Sequence, residues 1–426
     1  MRKMAFRALL AGAALTFAGT ASAQDYIQIG NLVDFTGNTA VVGKEYGQGK
    51  IDAMNWVNEN GGINGKLLDF DTVDYSYVVP RALAAYKKWT TQRKVSAIQG
   101  WGTADTEAMV DFVAKDQVPY FSASYSGHLT DPQGKGPETK KPAPFNFFVG
   151  PSYSDGVRAL VQWAADDWKK KGKAGKPKYV HMGDNHPYPN APKKAGEDYA
   201  KEMGFDILPA IQYSLAPTDF KAQCLTLNQS GADYAFLANT SDSNIAMLRS
   251  CATVGVKAQF MANIWGYDEN AMKAAGEAAN GVVWVMGGAK WNDDVPGMKT
   301  IQAVSKISDP RGLAYRAVHY IRGVCSIFYM KEALEWADKN GGINGPNVKR
   351  AMYQKKDWVP VGMEGVCPAA TWTEADHRGV TRVFVYRGQV KGATDASVAD
   401  LVKSGAVSMA KVFEANVPRK AEWLGL

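Results

Sequence analysis

Histidine and cysteine are scarce in this chain of 426 residues, with five of the first and four of the second. The histidines are His128, His181, His186, His319 and His377. His181 and His186 are five apart and run from a strand into a loop, so they do not share a helical face as the two histidines of H-E-x-x-H do. A metal centre is therefore not expected there. No C-x-x-C occurs, which removes zinc ribbons and thioredoxin-type redox motifs. The chain has neither the G-x-S-x-G elbow of a serine hydrolase nor the G-x-x-x-x-G-K-[ST] phosphate loop. Its first strand-to-helix turn lacks the G-x-G-x-x-G that would cradle a dinucleotide. These absences disfavour an enzyme and point to no cofactor. Beyond the N-terminus no apolar run is long enough to cross a membrane. The net charge of +7 is spread along the chain, which is poor support for nucleic-acid binding.

What is present begins with an address. Met1-Arg2-Lys3 and Arg7 are basic, Ala8 to Ala18 is a short apolar run, and Ala21-Ser22-Ala23 has the small-x-small pattern of a signal-peptidase site. Residues 1–23 are read as a leader cleaved after Ala23, and the mature chain as exported; an ordinary first core helix is the alternative. No cysteine stands at the cleavage point to carry a lipid. Cys224, Cys251, Cys325 and Cys367 all fall in the mature part, and an even number in an oxidising compartment suggests disulfides. Of three possible connectivities, 224 with 251 and 325 with 367 closes the shortest loops. Isolated buried thiols are the other reading.

The mature chain alternates strand and helix patterns. Tyr26 to Val33, Leu67 to Val73, Val95 to Gly100 and Val118 to Ser122 read as strands. Between them lie helical stretches with Ile51, Met54 and Val57 on one stripe, then Arg81 to Gln92, then a helix capped by Thr103 with Met109, Phe112 and Val113 inward. Such a series is the pattern of a doubly wound parallel sheet. After the Pro-, Gly- and Lys-rich loop Asp131 to Pro144, a second series starts with the helix bearing Val157, Leu160, Val161, Ala164 and Trp168. Strands follow at Tyr179 to Met182, Ile207 to Gln212, Tyr234 to Ala238 and Gln259 to Met261. A long helix over Ala314 to Asp338 ends in Asn340-Gly341-Gly342-Ile343-Asn344-Gly345, the string that also closes the first helix at 60–65. It is read as reuse of a good helix stop, with duplication as the alternative. Thr381 to Arg387 is a late strand that would complete an earlier sheet.

Ligands of open α/β sheets sit outside the carboxyl ends of strands. Those ends here carry Gly100-Trp101-Gly102-Thr103, Ser122-Ala123-Ser124-Tyr125-Ser126, Asp184 to Tyr188, Asn239-Thr240-Ser241 and Asn263 to Tyr267. Hydroxyls and helix N-terminal amides suit a carboxylate without a basic side chain, and the rings supply apolar walls. One such end alone would be an ordinary cap or turn; five together suggest a binding cleft.

The order of Ile27-Gln28-Ile29-Gly30, Asp34-Phe35-Thr36-Gly37, Gly43, Gly49, Asn55, Asn60 to Gly65, Asp74, Pro80-Arg81-Ala82, Gly100 to Thr106 and Val118 to Ser122 resembles the periplasmic leucine/isoleucine/valine-binding proteins of ABC importers. The resemblance runs from about residue 26 to about 390. It implies a type I periplasmic binding protein: α/β, two doubly wound Rossmann-like lobes joined by a three-crossover hinge. The first lobe would take 24–149 and about 287–362, the second 150–286 and about 363–395, with a C-terminal helical extension over 396–426. The implied function is periplasmic capture of a small carboxylate-bearing solute of the branched-chain or hydrophobic amino acid class by a monomer, and delivery to an inner-membrane ABC permease. By the same resemblance Thr103, Ala104, Tyr125 and Ser126 would hold the carboxylate, with Tyr188, Asn239 and Thr240 reaching it from the second lobe; Trp101 stands at the same strand ends. Where family members place an acid for the ammonium, this chain has Ile264 or Trp265, with Asp268 the nearby substitute. An aromatic or other ammonium-free carboxylate is therefore the alternative solute. A ligand-sensing module would use the same fold but would need a DNA-binding or signalling segment, and a secreted hydrolase would need a nucleophile–base pair.

Overall fold

The computed structural model describes residues 25–426; the expected leader over 1–23 lies outside them. Five parallel strands form the first sheet: β1 (Tyr26–Val33), β2 (Leu67–Asp74), β3 (Ala97–Gln99), β4 (Tyr120–Phe121) and β5 (Asn146–Phe147), in the order β2-β1-β3-β4-β5. The helices between them are α1 (Ala40–Glu59), α2 (Val79–Lys88) and α3 (Thr103–Asp116). Gly61 and Gly62 take φ of +96° and +65° and stop α1, a backbone state that favours glycine over residues with a Cβ.

The second sheet begins after α4 (Tyr153–Lys170). It comprises β6 (Lys178–Gly183), β7 (Asp206–Ile207), β8 (Ile211–Gln212), β9 (Tyr234–Leu237), β10 (Gln259–Ala262), β11 (Val283–Met286), β12 (Arg382–Val390) and β13 (Val407–Asn416). The order is β13-β12-β11-β10-β9-β6-β7, with β8 also on β6. Strands β6 to β11 pair in parallel, whereas β12 and β13 join antiparallel. The interspersed helices are α5 (Pro187–Asn190), α6 (Lys193–Glu202), α7 (Lys221–Ser230), α8 (Ser241–Val254) and α9 (Glu269–Ala275). Then come α10 (Met298–Ser305), α11 (Val318–Lys339), α12 (Gly345–Met352) and α13 (Val398–Ser404).

Two differences from the sequence reading have a common cause. Of 396–426, expected to be a helical extension, only α13 and a short turn at Ala421–Trp423 are helical; Val407–Asn416 is the edge strand β13. Segment 363–380, expected in the second lobe, packs Met363, Val366, Trp372 and Val380 into the core that holds Ile27, Ile29 and α11. Neither placement follows from local pattern, because strand order and lobe membership are set by long-range pairing.

The chain passes between the sheets near 150, 288 and 381. The passages lie side by side: Pro151 and Val380 form a parallel bridge, and a Cβ on Gly287 would meet Pro151 Cδ at 3.3 Å. Helix α11 packs on α1 at unusually close range. A Cβ on Gly49 would lie 2.2 Å from the Tyr320 carbonyl oxygen, and one on Gly323 equally close to that of Tyr46. These two glycines set the seat of α11 and bring Tyr46, His319 and Arg322 to the interlobe face.

Two disulfides hold elements that the sheets do not join. Cys224–Cys251 links α7 to α8, and Cys325–Cys367 ties α11 to the segment before β12. The C-terminal tail bridges the lobes. Gly425 N donates to Thr130 Oγ1 at 3.0 Å on the first lobe, while the Trp423 ring lies 4.1 Å from the Arg158 guanidinium on α4 of the second.

Candidate functional site

The first-lobe side of the cleft is built on a turn. Asp34, at the end of β1, accepts from Gly37 N at 2.6 Å and from Thr39 N and Oγ1 at 3.0 and 2.5 Å. Thr39 Oγ1 in turn accepts from Trp101 Nε1 at 2.9 Å, which fixes that indole at the carboxyl end of β3. Thr103 opens α3, but its cap is Gly102 rather than Thr103 itself. Ser124 Oγ donates to Thr103 Oγ1 at 2.8 Å, and Gly102 N donates to the Tyr75 hydroxyl at 3.1 Å. Tyr75 donates to buried Asp105 at 2.8 Å, and burial pushes that carboxyl up to about 7.

From the second lobe come Tyr153 at the start of α4, Tyr188 on α5, Thr240 before α8 and Trp265 after β10. Trp265 Nε1 donates to the Tyr153 hydroxyl at 3.1 Å. Between the lobes lies a small cavity of about 20 Å³, lined by Thr39, Tyr77, Trp101, Gly102, Thr103 and Ala123 on one side and Tyr153, Tyr188, Thr240 and Trp265 on the other. That volume is about one water, so a solute needs the lobes to separate before it can enter. The hydroxyls of Tyr46, Tyr125, Tyr188 and Thr240 are buried without a hydrogen-bond partner among the described residues.

Trp265 is the hub of the aromatic cluster. Its ring centroid lies 5.4 Å from those of Tyr46 and Trp101, 5.3 Å from Tyr125 and 5.1 Å from His319. Behind it the Arg322 guanidinium lies 5.4 Å from the Trp265 ring and 5.5 Å from that of Trp284. Arg322 Nη1 donates to the Ile264 carbonyl at 2.8 Å and lies 2.7 Å from His319 Nδ1.

Of the residues singled out in the sequence, Trp101, Thr103, Tyr188, Thr240 and Trp265 line the cavity, and Tyr125 stands one ring away. Four do not. Ala104 sits one residue into α3 outside the lining, and Ser126 is turned to Glu107, 2.7 Å away. Asn239 bonds Tyr213 O, Ser214 O and Ser243 Oγ and accepts from Asp184 N, so it fastens loops. Asp268 caps α9 through Ala271 N at 2.6 Å and faces His319. Ser126, Asn239 and Asp268 each bond backbone groups, the usual use of these polar residue types near helix starts and turns. Sequence reasoning missed Tyr46, Tyr77, Tyr153, His319 and Arg322. Tyr77 had a faint signal in the Tyr75-Ser76-Tyr77 run after β2, where Tyr77 takes φ +58°. The others sit on helices, where an aromatic or basic residue reads as core or surface. The His181–His186 pair is not a site: His181 is buried in β6, whereas His186 caps α5.

The comparisons agree with this architecture. A family model described as periplasmic binding protein matches residues 26–394. A Leu/Ile/Val-binding protein homolog 7 from Brucella suis biovar 1 (strain 1330) is 26% identical over 272 residues, which span 62% of this chain and 62% of that protein. A branched chain amino acid ABC transporter structure from Thermus thermophilus with bound valine superposes with TM-score 0.77 at 18% identity, covering 93% and 97% of the two chains. A fatty acid ABC transporter substrate-binding protein from Thermomonospora curvata gives TM-score 0.76 at 18% identity, covering 94% and 97%. With two doubly wound lobes, three adjacent passages and a cleft at the strand ends, this chain belongs to the periplasmic binding protein family, a family of binders rather than enzymes, and has its type I fold.

Proposed function

We propose that the protein is the periplasmic solute receptor of an ABC importer, capturing a small carboxylate-bearing solute between its lobes and delivering it to an inner-membrane permease. One observation carries the reading: a chamber at the carboxyl ends of both sheets, lined by aromatic rings from both lobes and by the unpartnered hydroxyls of Tyr188 and Thr240 from the second. Valine and fatty acids, named for two structural neighbours, share a carboxylate on an apolar body.

A second feature favours the ammonium-free side of that class. Among the described residues no Asp or Glu lines the cavity, and Asp268 is committed to α9 and His319. A solute ammonium enclosed here would lose its hydration without a counter-charge, at a cost of several kcal/mol. Aromatic rings such as Trp101 and Trp265 instead suit an aromatic acid. Thermal-shift screening of the mature protein against aliphatic amino acids and aromatic acids tests this. Stabilisation by an aromatic acid is expected; stabilisation by leucine or valine alone favours the amino acid reading, and no shift with any carboxylate refutes the function.

A further inference from the structure

We propose that Arg322, on α11, is the residue that reads the negative charge of the solute, and that the Trp265 ring stands between it and the cleft as a movable plug. The inference rests on the solute-receptor reading above.

Arg322 is 7% exposed, and its Nη2 has no hydrogen-bond partner among the described residues. Its contacts are a carbonyl, an imidazole nitrogen and the two tryptophan rings; its nearest acids, Asp268 and Glu269, act on it only at longer range. A buried guanidinium without a paired carboxylate is costly, and an arriving carboxylate would offset that cost through the planar fork that suits it. The alternative cradle, the α3 N-terminus, is already taken. Gly102 N is bonded to the Tyr75 hydroxyl, Thr103 Oγ1 accepts from Ser124, and Asp105 lies within the same turn.

The geometry gives Trp265 its part. Arg322 borders a void of about 10 Å³ beside Gly150, Ile264, Gly287 and Gly288, where the passages between lobes meet. The cavity of about 20 Å³ at Thr103 lies against Trp265 from the other lobe. Rotation of that indole on opening would join the two spaces into one chamber. Arg322 would stand at one end of it and the Trp101 ring at the side.

The test removes the plug and offers two probes of one shape. Calorimetry on the full mature chain carrying Trp265→Gly compares benzoate with benzamide, which differ in charge. Benzoate is expected to bind at least tenfold tighter. Adding Arg322→Met, which keeps an unbranched apolar stem between the two indoles without the charge, is expected to bring the probes within twofold of each other. Arg322→Lys retains the charge without the fork and should keep a reduced preference; it also guards against misfolding of the methionine variant. Equal affinities in Trp265→Gly, no binding of either probe, a preference that survives Arg322→Met, or none with Arg322→Lys each overturns the proposal. Failure here leaves the receptor reading standing if the wild-type protein still binds a carboxylate solute. Failure of the wild-type screen sinks the receptor reading whatever the variants do.

Discussion

Asp268 Oδ2 and His319 Nε2 face each other at 3.3 Å across the interlobe boundary, both side chains fully buried. Burial pushes the Asp268 carboxyl up to about 7, opposed by the Ala271 amide, and holds His319 well below its usual range. The residue that the sequence offers as an ammonium partner is thus a buried structural acid, half a step behind the Trp265 ring.

A pH dependence follows with a definite sign. A carboxyl whose folded pKa is raised contributes stability that is full below its unfolded value near 4 and is lost as pH rises through about 7. Asp268→Asn keeps a capping oxygen for α9 and removes this loss. Relative to wild type, the variant should therefore gain stability between pH 5 and pH 8, by the order of 2 kcal/mol. Thermal melts of both proteins at the two pH values check this; a difference that stays constant contradicts it. At neutral pH the same substitution should leave the affinity for an aromatic acid within twofold.

Closure should be visible in solution. A cavity of about 20 Å³ cannot admit an aromatic acid, so entry requires hinge opening at the three passages. Small-angle scattering should show a smaller radius of gyration at saturating solute than without it. An unchanged radius, with binding confirmed by calorimetry, would count against the hinge.

Breaking the disulfides should lower stability without changing solute choice. They close spans of 27 and 42 residues, worth about 3.5 and 4 kcal/mol by chain entropy. Denaturation with and without reductant measures the loss, and non-reducing peptide mapping should return the 224–251 and 325–367 pairs.

The C-terminal tail should matter more than its position suggests. Trp423 packs on Arg158 at 4.1 Å and edge-on to Tyr199 at 5.5 Å, while Gly425 reaches Thr130 on the other lobe. Trp423→Ala is expected to cost about 3 kcal/mol, read as a drop in melting temperature. A neutral effect would mean that the tail does not hold the lobes together.

Much of the fold was legible because it is local. Alternating strand and helix periods, helix stops such as Asn60-Gly61-Gly62 and the loop at 131–144 depend on residues close in sequence, and the structure places them where those signals lie. Trp101, Thr103, Tyr188, Thr240 and Trp265 were legible for a related reason: in a parallel α/β sheet the carboxyl ends of strands all face one way. Ser126, Asn239 and Asp268 shared those positions, but their short polar side chains bond nearby backbone, which composition cannot distinguish from pointing into a cleft.

What the sequence by itself determined, then, was two α/β series with hydroxyls and rings at their strand ends, set by short-range periodicity; the cysteine pairing stayed open until the fold joined 224 to 251 and 325 to 367. Tertiary structure alone decided that β13 extends the second sheet beyond β12 and that 363–380 returns to the first core. It also brought Tyr46, His319 and Arg322 to Trp265. The reason is the seat of α11 on α1, where Gly49 meets Tyr320 and Gly323 meets Tyr46, backbone approaches between residues far apart in sequence that no local pattern encodes.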